Sequence, residues 1–222
     1  MDLEQWFNSI PPVTRTWLVA SAATSLLVHC QAVAPVQLYF SWTSAVVNGQ
    51  PWRFLTTFCY FGRLSMDLAF HLYFMVRYSR LLEENSFSNR RADYVWLLVL
   101  VMAFLLAVSP LTSLTTMPFL ASSLAFALVY IWSRRNPSVK LSFLGAVTIS
   151  APYLPFCLVV FSWILSGELK GALGDILGIL AGHTYIVLQD FWPREMWSSG
   201  EGVIVTPGIL KRALGQRERR DE

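Results

Sequence analysis

The sequence predicts an all-α membrane protein with six transmembrane helices. Of its 222 residues, 55% are hydrophobic and only 14% are charged, whereas a soluble domain carries about a quarter charged residues. Six apolar segments approach the length of about 20 residues that a helix needs to cross a bilayer. Lys and Arg residues lie mostly on one side of these segments, as the positive-inside rule predicts for a multispanning protein.

Residues 1–12 are predicted to form a short amphipathic helix that lies in the membrane interface. Apolar side chains recur there at steps of three and four residues among polar ones, namely Leu3, Trp6, Phe7 and Ile10. Pro11 and Pro12 end the pattern, because proline lacks the backbone N–H that a helix interior needs.

Six predicted spans form a membrane domain over residues 13–192. In chain order they are Trp17–Ala34, Met66–Leu82, Tyr94–Val108, Leu114–Trp132, Leu141–Leu165 and Ala172–Leu188. Residues 35–65, between the first two spans, are too apolar for a solvated loop. We therefore expect them to form a structured first lumenal loop that is half embedded in the outer leaflet.

The second and fifth predicted spans are irregular. Asp67 and His71 lie inside the second span, where ionisable groups are costly and often functional. Pro152 and Pro155 lie inside the fifth span, where each removes a helix hydrogen bond, so we expect this helix to bend.

The distribution of basic residues predicts the orientation. The side that holds both termini receives 14 of the 17 basic residues, and the opposite side receives Arg53, Arg63 and Lys170. Both termini are therefore predicted to be cytosolic. Residues 193–222 are polar and mixed in charge, which predicts a mostly disordered cytosolic tail.

The sixth predicted span combines small residues with two ionisable ones. Gly174, Gly178 and Gly182 recur at a step of four and predict a ridge on which a neighbouring helix, most simply the fourth span, packs closely.

Asp175 and His183 are eight residues, or about 12 Å, apart along a helix. A catalytic pair needs contact at about 3 Å, so these two residues cannot be partners. We expect them to be satisfied polar groups near the lumenal and cytosolic ends of the bundle, respectively.

The pair Trp52–Arg53 in the first loop has two interpretations that the sequence leaves open. Trp52 is an interfacial anchor, and Arg53 either extends to lipid phosphates or holds the shape of a lumenal gate. Both interpretations require the arginine to be paired near the bilayer surface.

Several motifs in the same order resemble the derlins, rhomboid-related proteins of the endoplasmic reticulum. They are "WFNSIPPVTRTW", "PWRFLTTF", "YSRLLEENSFSNRRADYVWLL", "APYLPF", "LGILAGHTYIVLQDFWP" and "TPGIL". The resemblance, to a fungal-type member, implies a six-helix rhomboid-like bundle without protease activity in the endoplasmic reticulum membrane. It also implies a role in endoplasmic-reticulum-associated degradation, in which misfolded lumenal or membrane proteins move to the cytosol.

The polar groups of the second span and the prolines of the fifth make both spans a poor match to the bilayer. If these spans lie side by side as in rhomboids, we expect a lateral gate with local membrane thinning, formed by Asp67, His71, Pro152, Tyr153 and Pro155. The partners that the resemblance implies are misfolded substrates, the lipid bilayer, a membrane ubiquitin ligase complex and a cytosolic AAA ATPase. Contact with the ATPase is expected to be indirect, because the tail lacks a convincing copy of the box that binds it. Whether the chain acts as a homo-oligomer or a hetero-oligomer stays open.

The alternative functions are an active rhomboid-type serine protease and, with less support, a small-solute transporter. An active rhomboid-type serine protease would need a glycine-flanked serine in the fourth span, where Ser122 and Ser123 have no such glycines, and a histidine where Asp175 stands. A small-solute transporter would show an inverted repeat or a midplane charge cluster, and the sequence shows neither. No catalytic residue, metal site or cofactor is predicted, and the charge is too small and dispersed for nucleic acid.

Overall fold

In a computed structural model, the chain is predominantly helical. The structure describes residues 3–110, 119–143, 147–167, 169–191 and 205–215. The predicted start of the fourth span (114–118) and much of the predicted tail (193–204 and 216–222) lie outside the described residues.

Helices of 4 to 18 residues make up most of the part of the chain that the structure describes. In chain order they are α1 (Leu3–Asn8), α2 (Pro12–His29), α3 (Pro35–Leu38), α4 (Arg53–Thr56), α5 (Met66–Leu81), α6 (Arg91–Val108), α7 (Ala121–Arg135), α8 (Leu154–Ser166), α9 (Leu169–Ile186) and α10 (Gly208–Ala213). Single π-helical turns lie at Thr43–Val47, Leu82–Ser86 and Val187–Phe191, and a 3₁₀ turn at Ala151–Tyr153 precedes α8.

Local chemistry explains where these helices begin and end. Ser65 caps α5, because its side-chain oxygen accepts a hydrogen bond from the N–H of Leu68 at 3.2 Å. Pro12 stands at the first turn of α2, where the missing N–H costs nothing. Gly167 ends α8 in the left-handed region with φ of 66°, which glycine adopts without strain.

The region of the fifth predicted span differs from the expectation. Lys140–Phe143 and Val147–Ser150 form an antiparallel hairpin, and the helix begins only at Leu154. The expected bend inside a long helix is therefore wrong. Pro152 lies in the 3₁₀ turn and Pro155 in the first turn of α8, where prolines begin a helix instead of interrupting one.

The core is built around α7. Residues 124–133 of this helix are all buried, as expected for a helix that is surrounded by others. Helices α5, α6, α8 and α9 pack against it, so α7 lies at the centre of the bundle and its neighbours form the outer layer.

The outer surface of the bundle is apolar, whereas some inward faces are polar. On α2 the buried residues are Thr14, Ser21 and Ser25, while Leu26 and Leu27 are exposed. This is the reverse of a soluble helix. Among the described residues, Arg91–Val108 and Gly171–Asp190 are long and apolar enough to cross a membrane, and the helical stretch Ala151–Leu165 is apolar but shorter.

Candidate functional site

Ionisable side chains from two distant helices meet inside the bundle. Asp67 and His71 lie one turn apart on α5, with 3.4 Å between the Asp67 Oδ1 and the His71 Nδ1. The same Nδ1 lies 2.9 Å from the backbone carbonyl of Asp67. Because a carbonyl only accepts, Nδ1 carries the proton, and Nε2 of the neutral ring is an acceptor.

Asp175 on α9 completes this group. Its side chain is 1% exposed, and its carboxylate interacts electrostatically with His71 and Asp67 and approaches the hydroxyls of Ser122 and Ser162. We call these five residues the interhelical polar cluster. It is built from α5, α7, α8 and α9, and hence joins residues more than 100 positions apart in the chain.

His183 belongs to a different site. Its Nδ1 lies 2.7 Å from the hydroxyl of Tyr130, and the Nε of Arg134 donates to the same hydroxyl at 3.0 Å. Since the arginine can only donate, the tyrosine oxygen accepts from it, and the tautomer of His183 sets the direction of the second hydrogen bond. Asp175 and His183 therefore have separate partners, one inside the bundle and one at the end of α7.

The described residues contain no serine–histidine pair. Ser123 is fully buried and its hydroxyl donates to the backbone carbonyl of Gly174 at 2.7 Å. Nδ1 of His71 faces the carbonyl of Asp67, and its Nε2 has no hydrogen-bond partner there. A serine nucleophile needs a base within about 3 Å, so this arrangement offers no activated nucleophile.

The glycines of α9 lie against α7. A Cβ atom added at Gly178 would overlap the backbone of Ser123 and lie 2.9 Å from the Cα atom of that serine. A Cβ atom added at Gly182 would lie 2.8 Å from the carbonyl oxygen of Ala127. Gly174 accepts the hydrogen bond from Ser123. The two backbones are therefore in direct contact along the length of the ridge.

Comparison with known proteins assigns the family. The model of the Der1-like family matches residues 10–208 of this chain. The chain belongs to this family. A probable derlin-2 homolog of Dictyostelium discoideum is 37% identical over 97% of this chain and 84% of its own length. Derlin-2.1 of Arabidopsis thaliana is 36% identical over 94% of this chain and 86% of its own length.

A fungal relative is similar over less of this chain. An uncharacterized derlin-like protein of Schizosaccharomyces pombe is 32% identical over 85% of this chain and 97% of its own length. The resemblance to the derlins is thus confirmed. The derlins are rhomboid-like pseudoproteases of the endoplasmic reticulum membrane that act in endoplasmic-reticulum-associated degradation, and this derlin is accordingly not an enzyme.

Arg53 of this derlin turns into the first loop. Its side chain is 7% exposed, its Nε donates to the Gln50 side chain at 2.6 Å, and one terminal nitrogen donates to the carbonyls of Val36 and Tyr39, both at 2.8 Å. Trp52 is 53% exposed. The arginine therefore ties α4 to both ends of α3, and the tryptophan faces outward.

The proline segment before α8 is placed at the bundle surface. Tyr153 is 67% exposed, whereas Pro155 is buried. Further along, α8 meets α5 through the rings of Phe70 and Phe161, whose centroids are 4.9 Å apart. Helices α5 and α8 are thus neighbours that meet through aromatic side chains.

Glu83 is a structural residue that the sequence reasoning missed. It is 4% exposed and accepts three hydrogen bonds from the start of α2, from the N–H of Val13 at 3.1 Å and from the N–H and hydroxyl of Thr14 at 3.0 and 2.8 Å. It therefore caps a helix that lies about 70 residues earlier in the chain. The sequence contains only a weak signal, an acidic pair in an otherwise basic segment.

The hydroxyls behind Glu83 form a directed chain. Thr14 lies 2.7 Å from Ser79, and Ser79 lies 2.6 Å from the hydroxyl of Tyr94. The single proton of the Thr14 hydroxyl is directed to the carboxylate, so Ser79 must donate to Thr14 and Tyr94 to Ser79. Through this chain α2, α5 and α6 are held together at one end of the bundle.

Proposed function

We propose that this derlin moves misfolded lumenal or membrane proteins toward the cytosol through a lateral gate between α5 and α8. The gate would belong to a six-span rhomboid-like bundle whose termini are both cytosolic, in line with the distribution of Lys and Arg. The proposal is non-catalytic, because the force that pulls the substrate would be supplied by other proteins.

The short length of the two gate helices carries the proposal. Helix α5 has 16 residues and α8 has 13, so they extend about 24 Å and about 20 Å. The hydrocarbon core of a bilayer is about 30 Å thick. A bilayer that matches these helices must thin locally, which shortens the apolar barrier to a polar polypeptide.

The surfaces of the two helices support the same interpretation. On α8, Phe156, Val160 and Ile164 are all more than half exposed, which suits contact with lipid or an apolar substrate segment. On α5, Asp67 is one-third exposed in the first turn, and His71 is buried one turn further along the helix. A polar segment that enters between the helices would therefore find hydrogen-bonding groups on one side.

The first lumenal loop and the cytosolic surface would supply the remaining parts of the proposed substrate route. The first lumenal loop, kept in shape by Arg53, would lie half in the outer leaflet beside the gate. A membrane ubiquitin ligase complex and, indirectly, a cytosolic AAA ATPase would receive the substrate. Segment 205–215, on the side predicted to be cytosolic, is attached to α6, because Thr206 donates to Asp93 at 2.6 Å.

A crosslink across the gate tests this proposal. Phe70→Cys and Phe161→Cys would be combined in a host that lacks its own derlin and treated with a short bismaleimide. We expect the crosslinked protein to lengthen the half-life of a misfolded lumenal glycoprotein to that of the deletion strain. Each single cysteine variant, treated in the same way, is the control. Unchanged degradation by the crosslinked protein would refute a gate between α5 and α8.

Membrane thinning has its own measurement. We expect the bilayer around the protein in lipid nanodiscs to be thinnest beside α5 and α8, and the electron-density profile of the nanodisc reports its thickness. A bilayer of uniform thickness around the whole protein would contradict thinning, even if the crosslink blocked degradation.

A further inference from the structure

The interhelical polar cluster contains buried polar atoms that no protein group satisfies. Among the described residues, Oδ1 of Asp67, Nε2 of His71 and both carboxylate oxygens of Asp175 have no hydrogen-bond partner. His71 is 6% exposed and Asp175 is 1% exposed. The hydroxyls of Ser122 and Ser162 approach Asp175 but do not reach hydrogen-bond geometry.

Unsatisfied groups of this kind carry the full cost of their desolvation. A buried water molecule commonly removes that cost, because it forms about three hydrogen bonds to polar groups that otherwise lack partners. A cavity of about 10 Å³, close to the volume that one water molecule requires, is lined by His71 and otherwise by apolar side chains of α5, α7 and α8, among them Phe70 and Phe126. Of the cluster residues, this space therefore touches His71.

The donors and acceptors of the cluster match water. The carboxylate of Asp175 and the Nε2 of neutral His71 are acceptors, whereas a serine hydroxyl is able to donate. One water molecule supplies two donors and accepts at its oxygen. Among the described residues, no group of three or more acidic, histidine or cysteine side chains has the arrangement of a metal site.

We propose that the interhelical polar cluster is a water-binding site inside the helix bundle. In this site a water molecule donates to Asp175 and to Nε2 of His71, and it accepts from the hydroxyl of Ser122 or Ser162. The water bridges α9 to α5 through the centre of the bundle. The site does not depend on the proposed gate, since it would bind water whether or not the protein moves a substrate.

Radiolytic hydroxyl-radical labelling in lipid nanodiscs tests the site, because radicals generated from bound water oxidise adjacent side chains. The full chain would be irradiated with microsecond X-ray pulses in H₂¹⁸O and digested for mass spectrometry. We expect ¹⁸O to be incorporated at His71 and at Phe126, whose ring centroids are 6.1 Å apart. Phe156, which is 54% exposed on the apolar face of α8, is the lipid-facing control.

Variants separate the outcomes. Asp175→Leu keeps a branched side chain but removes both acceptor oxygens, and we expect it to reduce labelling of Phe126 to the level of Phe156. Asp175→Asn keeps one acceptor and should retain labelling, which distinguishes loss of water from loss of fold. Labelling of Phe126 no greater than that of Phe156 in the wild type would overturn the proposal. Strong coupling between His71 and Asp175 in a double-mutant cycle, without labelling of Phe126, would also overturn the proposal. The two side chains would then interact with no water molecule between them.

Discussion

Replacing Glu83 with Gln is expected to destabilise this derlin strongly, although the side chain keeps its size and shape. The two oxygens of Glu83 accept three hydrogen bonds from Val13 and Thr14. A glutamine has one accepting oxygen and one NH₂ group, which cannot accept. If its oxygen keeps the two bonds to Thr14, the N–H of Val13 faces another donor, so at least one buried N–H loses its partner.

The magnitude follows from these contacts. A hydrogen bond to a charged group contributes about 1.5–3 kcal/mol, and an unsatisfied buried donor costs about 1–3 kcal/mol. We therefore expect Glu83→Gln to lower the free energy of unfolding by about 2–4 kcal/mol. For a chain of 150–250 residues, each kcal/mol corresponds to about 2–4 °C, so the melting temperature should fall by about 4–16 °C.

The adjacent glutamate provides the matched control. Glu84 is 39% exposed and pairs with Arg80 at 2.9 Å on the same helical turn, and exposed ion pairs contribute only about 0–1 kcal/mol. Thermal unfolding of the purified protein in nanodiscs should therefore show a much smaller loss for Glu84→Gln. Thr14→Val combined with Glu83→Gln should be less than additive, because both variants break the same contacts. Equal losses for the two glutamate variants would show that Glu83 does not cap α2.

Three further predictions concern other parts of the molecule. Gly178→Ala should force α9 away from the backbone of Ser123 and cost about 1–3 kcal/mol or more in thermal unfolding, whereas Gly171→Ala, at an exposed position of the same helix, should be close to neutral. Arg53→Lys should expose the first loop to faster hydrogen exchange over residues 35–56 with little change elsewhere, because lysine cannot reach all three of its acceptors; uniform exchange would contradict a local role. Cys30 is exposed, whereas burial raises the pKa of the Cys59 thiol. Since the thiolate is the reactive form, a membrane-impermeant maleimide should label Cys30 much faster than Cys59. In sealed microsomes the reagent should label Cys30 only after permeabilisation. Labelling of Cys30 from the cytosolic side would reverse the proposed orientation.

Local patterns predicted the parts of the fold that depend on local chemistry. The second predicted span, Met66–Leu82, agrees closely with α5 at Met66–Leu81, because its start is set by the cap of Ser65 and its interior by continuous helix-forming residues. The first predicted span, Trp17–Ala34, begins later than α2, which runs from Pro12 to His29. Pro12, predicted to end the N-terminal helix, is the first residue of the next helix.

Longer-range features could not be predicted in the same way. The antiparallel strands Lys140–Phe143 and Val147–Ser150 lie in a stretch that is as apolar as a membrane helix, and strand pairing depends on two segments meeting. Similarly, Asp175 is predicted to be a satisfied polar group near the lumenal end, but it is 1% exposed, interacts electrostatically with His71 and, among the described residues, has no hydrogen-bond partner for either oxygen. Its electrostatic partners come from other helices, and no spacing along α9 contains that information.

The sequence by itself determined that this protein is a helical, lipid-facing derlin without a catalytic serine–histidine pair. Those properties follow from composition, apolar periodicity and the presence or absence of particular residues, which are local quantities. Only the tertiary structure decided that Glu83 caps α2, that Arg53 is bonded within its own loop and that Asp67, His71 and Asp175 share one site. Each of these depends on which helices pack together, because the free energy of a buried polar group is set by the partners that packing brings to it.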